Sequence, residues 1–187
     1  MRGLTFAAIV AGGMAAAQSA PPLPFDVGGA FELTDQTGAT RTEADPDGLP
    51  QLLFFGYANC QQICSAALPL MADTADDLAE IGIDLRLVMV TVDPARDTVD
   101  GIGPPLAAIR PGFVGLTGSD AALQVAYDAF NVEKEELFHD PEYGPVFAHG
   151  SFIYLLDGAG EVLTLLPPIL PPEEVARIVT KHLDATG

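Results

Sequence analysis

The chain has 187 residues, 49% of them apolar, and its 8 Lys and Arg against 26 Asp and Glu give a formal net charge of −18. That length and apolar content fit one domain with a real core and exclude a disordered chain, while the acidity excludes nucleic-acid and anionic-membrane surfaces, which bind clustered Lys and Arg. The 2 cysteines exclude a disulfide-rich scaffold and a four-cysteine zinc site, leaving one bridge or one pair of soft metal ligands.

In chain order, residues 1–19 (MRGLTFAAIVAGGMAAAQS) read as an export signal. A basic start precedes an apolar, small-residue run at 4–17, shorter than the ~20 residues of a spanning helix, and Ala15-Ala16-Ala17 suits cleavage. We therefore expect a periplasmic protein without stable membrane insertion, in a compartment that permits a disulfide. Residues 20–30 read as an extended, Pro-rich spacer, and 31–187 as a single domain. Residues 31–38 (FELTDQTG) suggest a short strand running into a turn at Asp35 to Gly38.

Residues 51–57 form an apolar run typical of a buried strand. Residues 62–80 have a helical pattern, with Leu68, Met71, Ala75, Leu78 and Ala79 on one face, Asp73, Asp76 and Asp77 largely on another, and Gly82 as the stop. Pro69 predicts a kink or break there. Residues 84–92 (DLRLVMVTV) predict a second buried strand, ended by Asp93-Pro94. Gly101, Gly103, Pro104 and Pro105 predict a broken or late-starting helix over 98–109. A third strand is expected at 113–117, then a helix capped by Ser119-Asp120 through Phe130. Residues 131–148 read as polar and irregular. Residues 151–156 and 161–166 flank Asp157-Gly158-Ala159-Gly160 as a hairpin. Pro171-Pro172-Glu173-Glu174 opens a final helix to about Asp184. Strands alternating with helices, closed by a hairpin, define an α/β class with sheet and helices in layers.

The chemistry concentrates at Cys60 and Cys64, placed just after a buried strand as a helix begins. Residues four apart share a helix face, so both sulfurs can point at one spot. A helix N-terminus favours the thiolate, which is both the nucleophile of disulfide exchange and a ligand for a soft metal. The spacing alone does not choose between the two. Thioredoxin-type oxidoreductases place two residues between the cysteines; here there are three.

Three histidines are candidates for a third ligand. His182 lies beside Lys181 on the final helix and reads as a solvated surface residue. His139 lies in an acidic stretch and reads as exposed. His149 directly precedes a strand, a good place for a site residue, although a lone histidine there is ordinarily structural. Two thiolates with one imidazole suit cuprous copper, or cupric copper with an added oxygen ligand, whereas zinc wants a fourth ligand.

From residue 31 to residue 183 the chain resembles the Sco/SenC family of copper-binding, thioredoxin-like proteins. The resemblance rests on residues 31–38, on Phe55-Gly56-Tyr57 before the Cys-x-x-x-Cys pair, and on residues 90–98 (VTVDPARDT). It continues through residues 113–118 (FVGLTG) and His149-Gly150-Ser151 leading into residues 153–157 (IYLLD). It implies a thioredoxin-like fold with a central mixed sheet, flanking helices and extra N-terminal strands. It also implies a copper site of Cys60, Cys64 and His149. The family pattern has proline after each cysteine and Asp before the histidine; here Gln61, Ser65 and Ala148 stand there, and Val99 replaces the proline after the 90–98 run.

The implied activity is copper delivery to a client such as the CuA centre of cytochrome c oxidase, or exchange with another periplasmic copper chaperone, by a monomer. The alternative is a thiol–disulfide oxidoreductase in which Cys60 and Cys64 are catalytic and reduce client cysteines. His149 separates the two, since exchange does not need it. A peroxiredoxin-like peroxidase ranks low because Tyr57 occupies the place of the usual Thr. Residues 93–98 read as turn and cap chemistry, with Arg96 available to pair with a nearby carboxylate.

Overall fold

The structure is a computed structural model and describes residues 23–58, 66–142 and 144–186. The expected export signal, Cys60 and Cys64 lie outside the described residues. The elements are β1 (Leu33–Asp35), β2 (Thr40–Arg41), β3 (Gln51–Gly56), α1 (Ala67–Glu80), β4 (Arg86–Thr91), α2 (Val99–Ile109) and β5 (Val114–Thr117). They continue with α3 (Asp120–Ala129), β6 (Glu135–Asp140), β7 (Gly144–Ala148), β8 (Ile153–Leu156), β9 (Val162–Leu166) and α4 (Pro172–Thr186).

A mixed seven-stranded sheet of order β2-β1-β5-β4-β3-β8-β9 organises the molecule. β3, β4 and β5 run parallel, and β8, β9, β1 and β2 extend the two sides antiparallel. The parallel strands need cover on both faces, which is why β3 and β4 read as continuous apolar runs. Alternate residues divide between two cores. Leu52, Phe54, Leu87 and Met89 pack with α1, α2 and α4; Leu53, Phe55, Val88 and Val90 pack with α3 on the other face. The layered α/β class and the thioredoxin-like mixed sheet are those expected from the sequence.

Local chemistry explains most boundaries. Asp35 Oδ1 accepts from the amides of Thr37 (2.8 Å) and Ala39 (3.1 Å), fixing the turn between β1 and β2. Gly82, at φ +82°, follows the C-cap of α1. Ser119 accepts from the Ala122 amide at 3.2 Å and caps α3. The Gly28 amide bonds the Ala129 carbonyl at 2.8 Å and Asn131 Nδ2 donates to the Asp26 carbonyl at 2.8 Å, so this part of the expected spacer is held to the end of α3.

Three expectations are corrected. Residues 99–109 form one continuous helix, with Pro104 and Pro105 inside it. Thr98 caps it, accepting from the Gly101 amide at 3.2 Å. Gly103 has no Cβ to clash with the ring of Pro104, and burial of Ile102 and Leu106, both 0% exposed, stabilises the helix against its proline defects. Residues 135–148 are not irregular: β6 and β7 form a separate two-stranded antiparallel sheet with a register shift between Glu136 and Phe138. Its burial is slight, so no apolar alternation marks it in the sequence. Of the helix expected over 62–80, residues 67–80 are described and run unbroken past Pro69, while 62–65 lie outside the described residues. Ala79 is exposed rather than on the buried face of α1.

Candidate metal centre

β7 ends at Ala148, and the next residue, His149, is carried against the end of β3. Its ring meets Phe54 edge-on at 5.8 Å and 77°, and Tyr57 at 6.1 Å and 75°. These two aromatic walls belong to β3 and the residue just past it, so the strand that leads into the cysteine segment also seats the imidazole. Nδ1 lies 2.9 Å from the Gly150 carbonyl oxygen. A carbonyl only accepts, so Nδ1 carries the hydrogen and the neutral ring has its lone pair on Nε2, the form that ligates a metal.

Tyr57, three residues before Cys60, is buried. Its ring is edge-on to Phe147 of β7 at 6.4 Å and 79°, and the Arg96 guanidinium lies over it at 5.3 Å. The Ala58 amide donates to Asp97 Oδ2 at 2.9 Å. The described geometry thus brings His149 and β7 to Tyr57, and Asp97 to Ala58, the two residues that enter the cysteine segment. Cys60 and Cys64 themselves lie outside it. Among the described residues, no three His, Cys, Asp or Glu side chains are grouped to hold a metal ion.

The turn after β4 carries more than the cap chemistry read from its sequence. Thr91 Oγ1 donates to Asp97 Oδ2 at 2.7 Å and accepts the Asp93 amide at 2.8 Å. Tyr127 donates its hydroxyl to the Thr91 carbonyl at 2.6 Å, and burial pushes that phenol well above its usual range. Asp97 is fully buried. Burial, the largest effect, raises its carboxyl above the ordinary range despite the bonds from Ala58 and Thr91. Its Oδ1 has no hydrogen-bond partner among the described residues. Arg96 pairs through Nε with Asp93, the carboxylate partner anticipated from sequence. It also donates from Nη2 to the Pro145 carbonyl at 2.9 Å, a contact 49 residues away that no local pattern announces.

The other histidines lie elsewhere. His139 is on β6, paired in register with Pro145, its side chain 69% exposed and 3.9 Å from Glu136. His182, expected as a solvated surface residue, is half-buried on α4. Burial first, then Lys181, lowers its pKa. No helix among the described residues is long and apolar enough to cross a membrane.

The fold and this site define a class: a thioredoxin-like domain in which a histidine on the loop before β8 meets the strand end that leads into a Cys-x-x-x-Cys segment. The SCO1/SenC family model matches residues 19–184, and the chain belongs to that family. It is 33% identical over 160 residues to protein SenC of Rhodobacter capsulatus, covering 85% of this chain and 72% of that one. The copper-bound structure of ScoI from Arabidopsis thaliana superposes with a TM-score of 0.78 at 25% identity, covering 84% of this chain and 98% of that one. BsSco, a member of the Sco family of cytochrome c oxidase assembly proteins in which a disulfide switch has been identified, shares the fold. Its TM-score is 0.66 at 24% identity, over 90% of this chain and 98% of that one.

Proposed function

We propose that this protein binds copper through Cys60, Cys64 and His149 and passes it to a copper-accepting client, the CuA centre of cytochrome c oxidase being the client the family suggests. The observation that carries the reading is the seating of His149, with Nδ1 tied to the Gly150 carbonyl, against Tyr57 at the entrance to the cysteine segment. Two soft thiolates and one imidazole suit copper, and a ligand set this small leaves room for a client's ligands to replace them one at a time. The net charge of −18 sets up a field that draws metal cations and a client with a basic docking face. Export by residues 1–19 into the periplasm, and action as a monomer, belong to the same reading.

Copper titration of the reduced and oxidised protein tests it. About one copper per reduced chain is expected, lost in Cys60→Ser and greatly weakened in His149→Ala. Wild-type binding by His149→Ala would remove the histidine from the site. A second reading, favoured by the disulfide switch of the BsSco neighbour, is thiol–disulfide exchange. One thiolate attacks a client disulfide, the other cysteine resolves the mixed disulfide, and the products are a Cys60–Cys64 disulfide and a client dithiol. It predicts full activity of the reduced, metal-free His149→Ala protein on a model disulfide.

A further inference from the structure

We infer that Arg96 is a positioning residue for His149: with its neighbour Asp97 it forms a two-armed brace that fixes the histidine-bearing hairpin relative to the start of the cysteine segment. The inference rests on the three-ligand reading above.

The hairpin needs such a brace. An isolated two-stranded hairpin is marginal in water, and β6 is exposed along nearly its whole length. β7 carries three attachments. Arg96 Nη2 donates to the Pro145 carbonyl at 2.9 Å. A Cβ on Gly144 would stand 3.4 Å from Arg96 Nη1, so the guanidinium lies directly against this strand. Phe147 packs on Tyr57, whose ring the same guanidinium covers. Pro145 and His149 are four residues apart on one short strand and its exit, so a displacement of the first carries to the second.

The guanidinium is itself aimed. Asp93 is 2% exposed, holds Nε, and has its own amide tied to Thr91 Oγ1. The other arm starts at the next residue: Asp97 receives both Thr91 Oγ1 and the Ala58 amide. One six-residue turn therefore reaches the hairpin before His149 with one side chain and the chain before Cys60 with the next. The planar fork of Arg bonds Asp93 and Pro145 at once while stacking on Tyr57. A lysine ammonium, a point charge on a flexible stem, cannot serve all three.

The test compares wild type with Arg96→Lys, Arg96→Met, His149→Ala and Arg96→Met/His149→Ala. It reads copper affinity by chelator competition, the absorption and electron paramagnetic resonance of the cupric form, and amide hydrogen exchange of the metal-free proteins. We expect Arg96→Met to lose about tenfold or more in affinity, the size seen when an outer partner of a metal-bound histidine is removed. Its cupric spectrum should change, with Arg96→Lys intermediate. The double variant should bind no more weakly than His149→Ala, because both changes act through one ligand. Exchange in residues 144–149 should speed up in Arg96→Met while β3 and β4 keep wild-type protection, which shows an intact fold. Additive losses in the double variant, or wild-type affinity and spectrum in Arg96→Met, would overturn the brace. If His149→Ala binds copper as wild type does, the three-ligand reading fails. The exchange measurement then decides the brace alone: faster β7 exchange sustains it and unchanged exchange removes it.

Discussion

Asp97 Oδ2 takes the backbone N–H of Ala58 at 2.9 Å, joining two positions 39 residues apart in the chain. The same oxygen accepts from Thr91 Oγ1 at 2.7 Å. Asp97→Ala leaves the buried Thr91 hydroxyl and the half-buried Ala58 amide without this acceptor and should cost about 2 kcal/mol. Urea denaturation of the reduced, metal-free protein measures it; an unchanged midpoint at equal slope would show that the network contributes no stability.

The Asp97 carboxyl also sets a pH dependence. Burial raises it above its unfolded value, so ionising it costs more in the folded than in the unfolded chain. The favourable contribution is complete below the unfolded value of 3.8 and is lost as pH rises through the raised one. Asp97→Asn keeps an acceptor and removes the charge, so it should gain on wild type as pH rises through that window. Parallel stability curves of the two proteins would contradict the assignment.

Arg86 and Asp45 set the opposite dependence. Burial raises the Asp45 carboxyl, but Arg86 at 2.9 Å and the Leu49 and Asp47 amides lower it further. Its stabilising contribution is therefore present above 3.8 and is lost as pH falls through the lowered value. Arg86→Met should cost about 2 kcal/mol at neutral pH, less than a fully buried pair because Arg86 is partly exposed. The deficit should shrink in acid, where Asp45 protonates; a deficit that grows in acid would reverse the sign.

Gly115 on β5 is where α2 comes down onto the sheet. A Cβ there would stand 2.7 Å from both Ile102 and Leu106. Gly115→Ala should destabilise by about 1–3 kcal/mol through overpacking, seen as a lower Tm. An unchanged Tm would mean that α2 shifts without cost.

Ala148 stands where the family pattern has Asp, and the register pairs it with Glu135. Restoring the acid by Ala148→Asp would set like charges opposite each other, costing up to about 1 kcal/mol. Adding Glu135→Lys should return the loss. Amide exchange across β6 and β7, measured at low and high salt, checks both, since screening should relieve the single variant.

The two sides of the molecule were legible to different degrees. β3, β4, β8 and α3 are plain in the sequence because each is fixed by local signals: an apolar run buried on both faces, or a capping serine before an amphipathic stretch. α2 defeats the same reading, since Pro104 and Pro105 argue locally against a helix that buried Ile102 and Leu106 hold in place. The β6–β7 hairpin is invisible because its residues bury little and its anchor, Arg96, comes from 49 residues away.

The sequence by itself determined the layered α/β class and the four-residue spacing of Cys60 and Cys64, because spacing and residue type are local quantities, while His149 entered as their partner through the resemblance to the Sco/SenC family. Which histidine faces the strand that enters the cysteine segment was decided by tertiary structure alone. His149 reaches Tyr57 only because β8 pairs with β3, and Arg96 reaches Pro145 only because the chain folds β7 back over the turn after β4. Contacts between residues far apart in sequence depend on how the layers stack, and no periodicity along the chain encodes them.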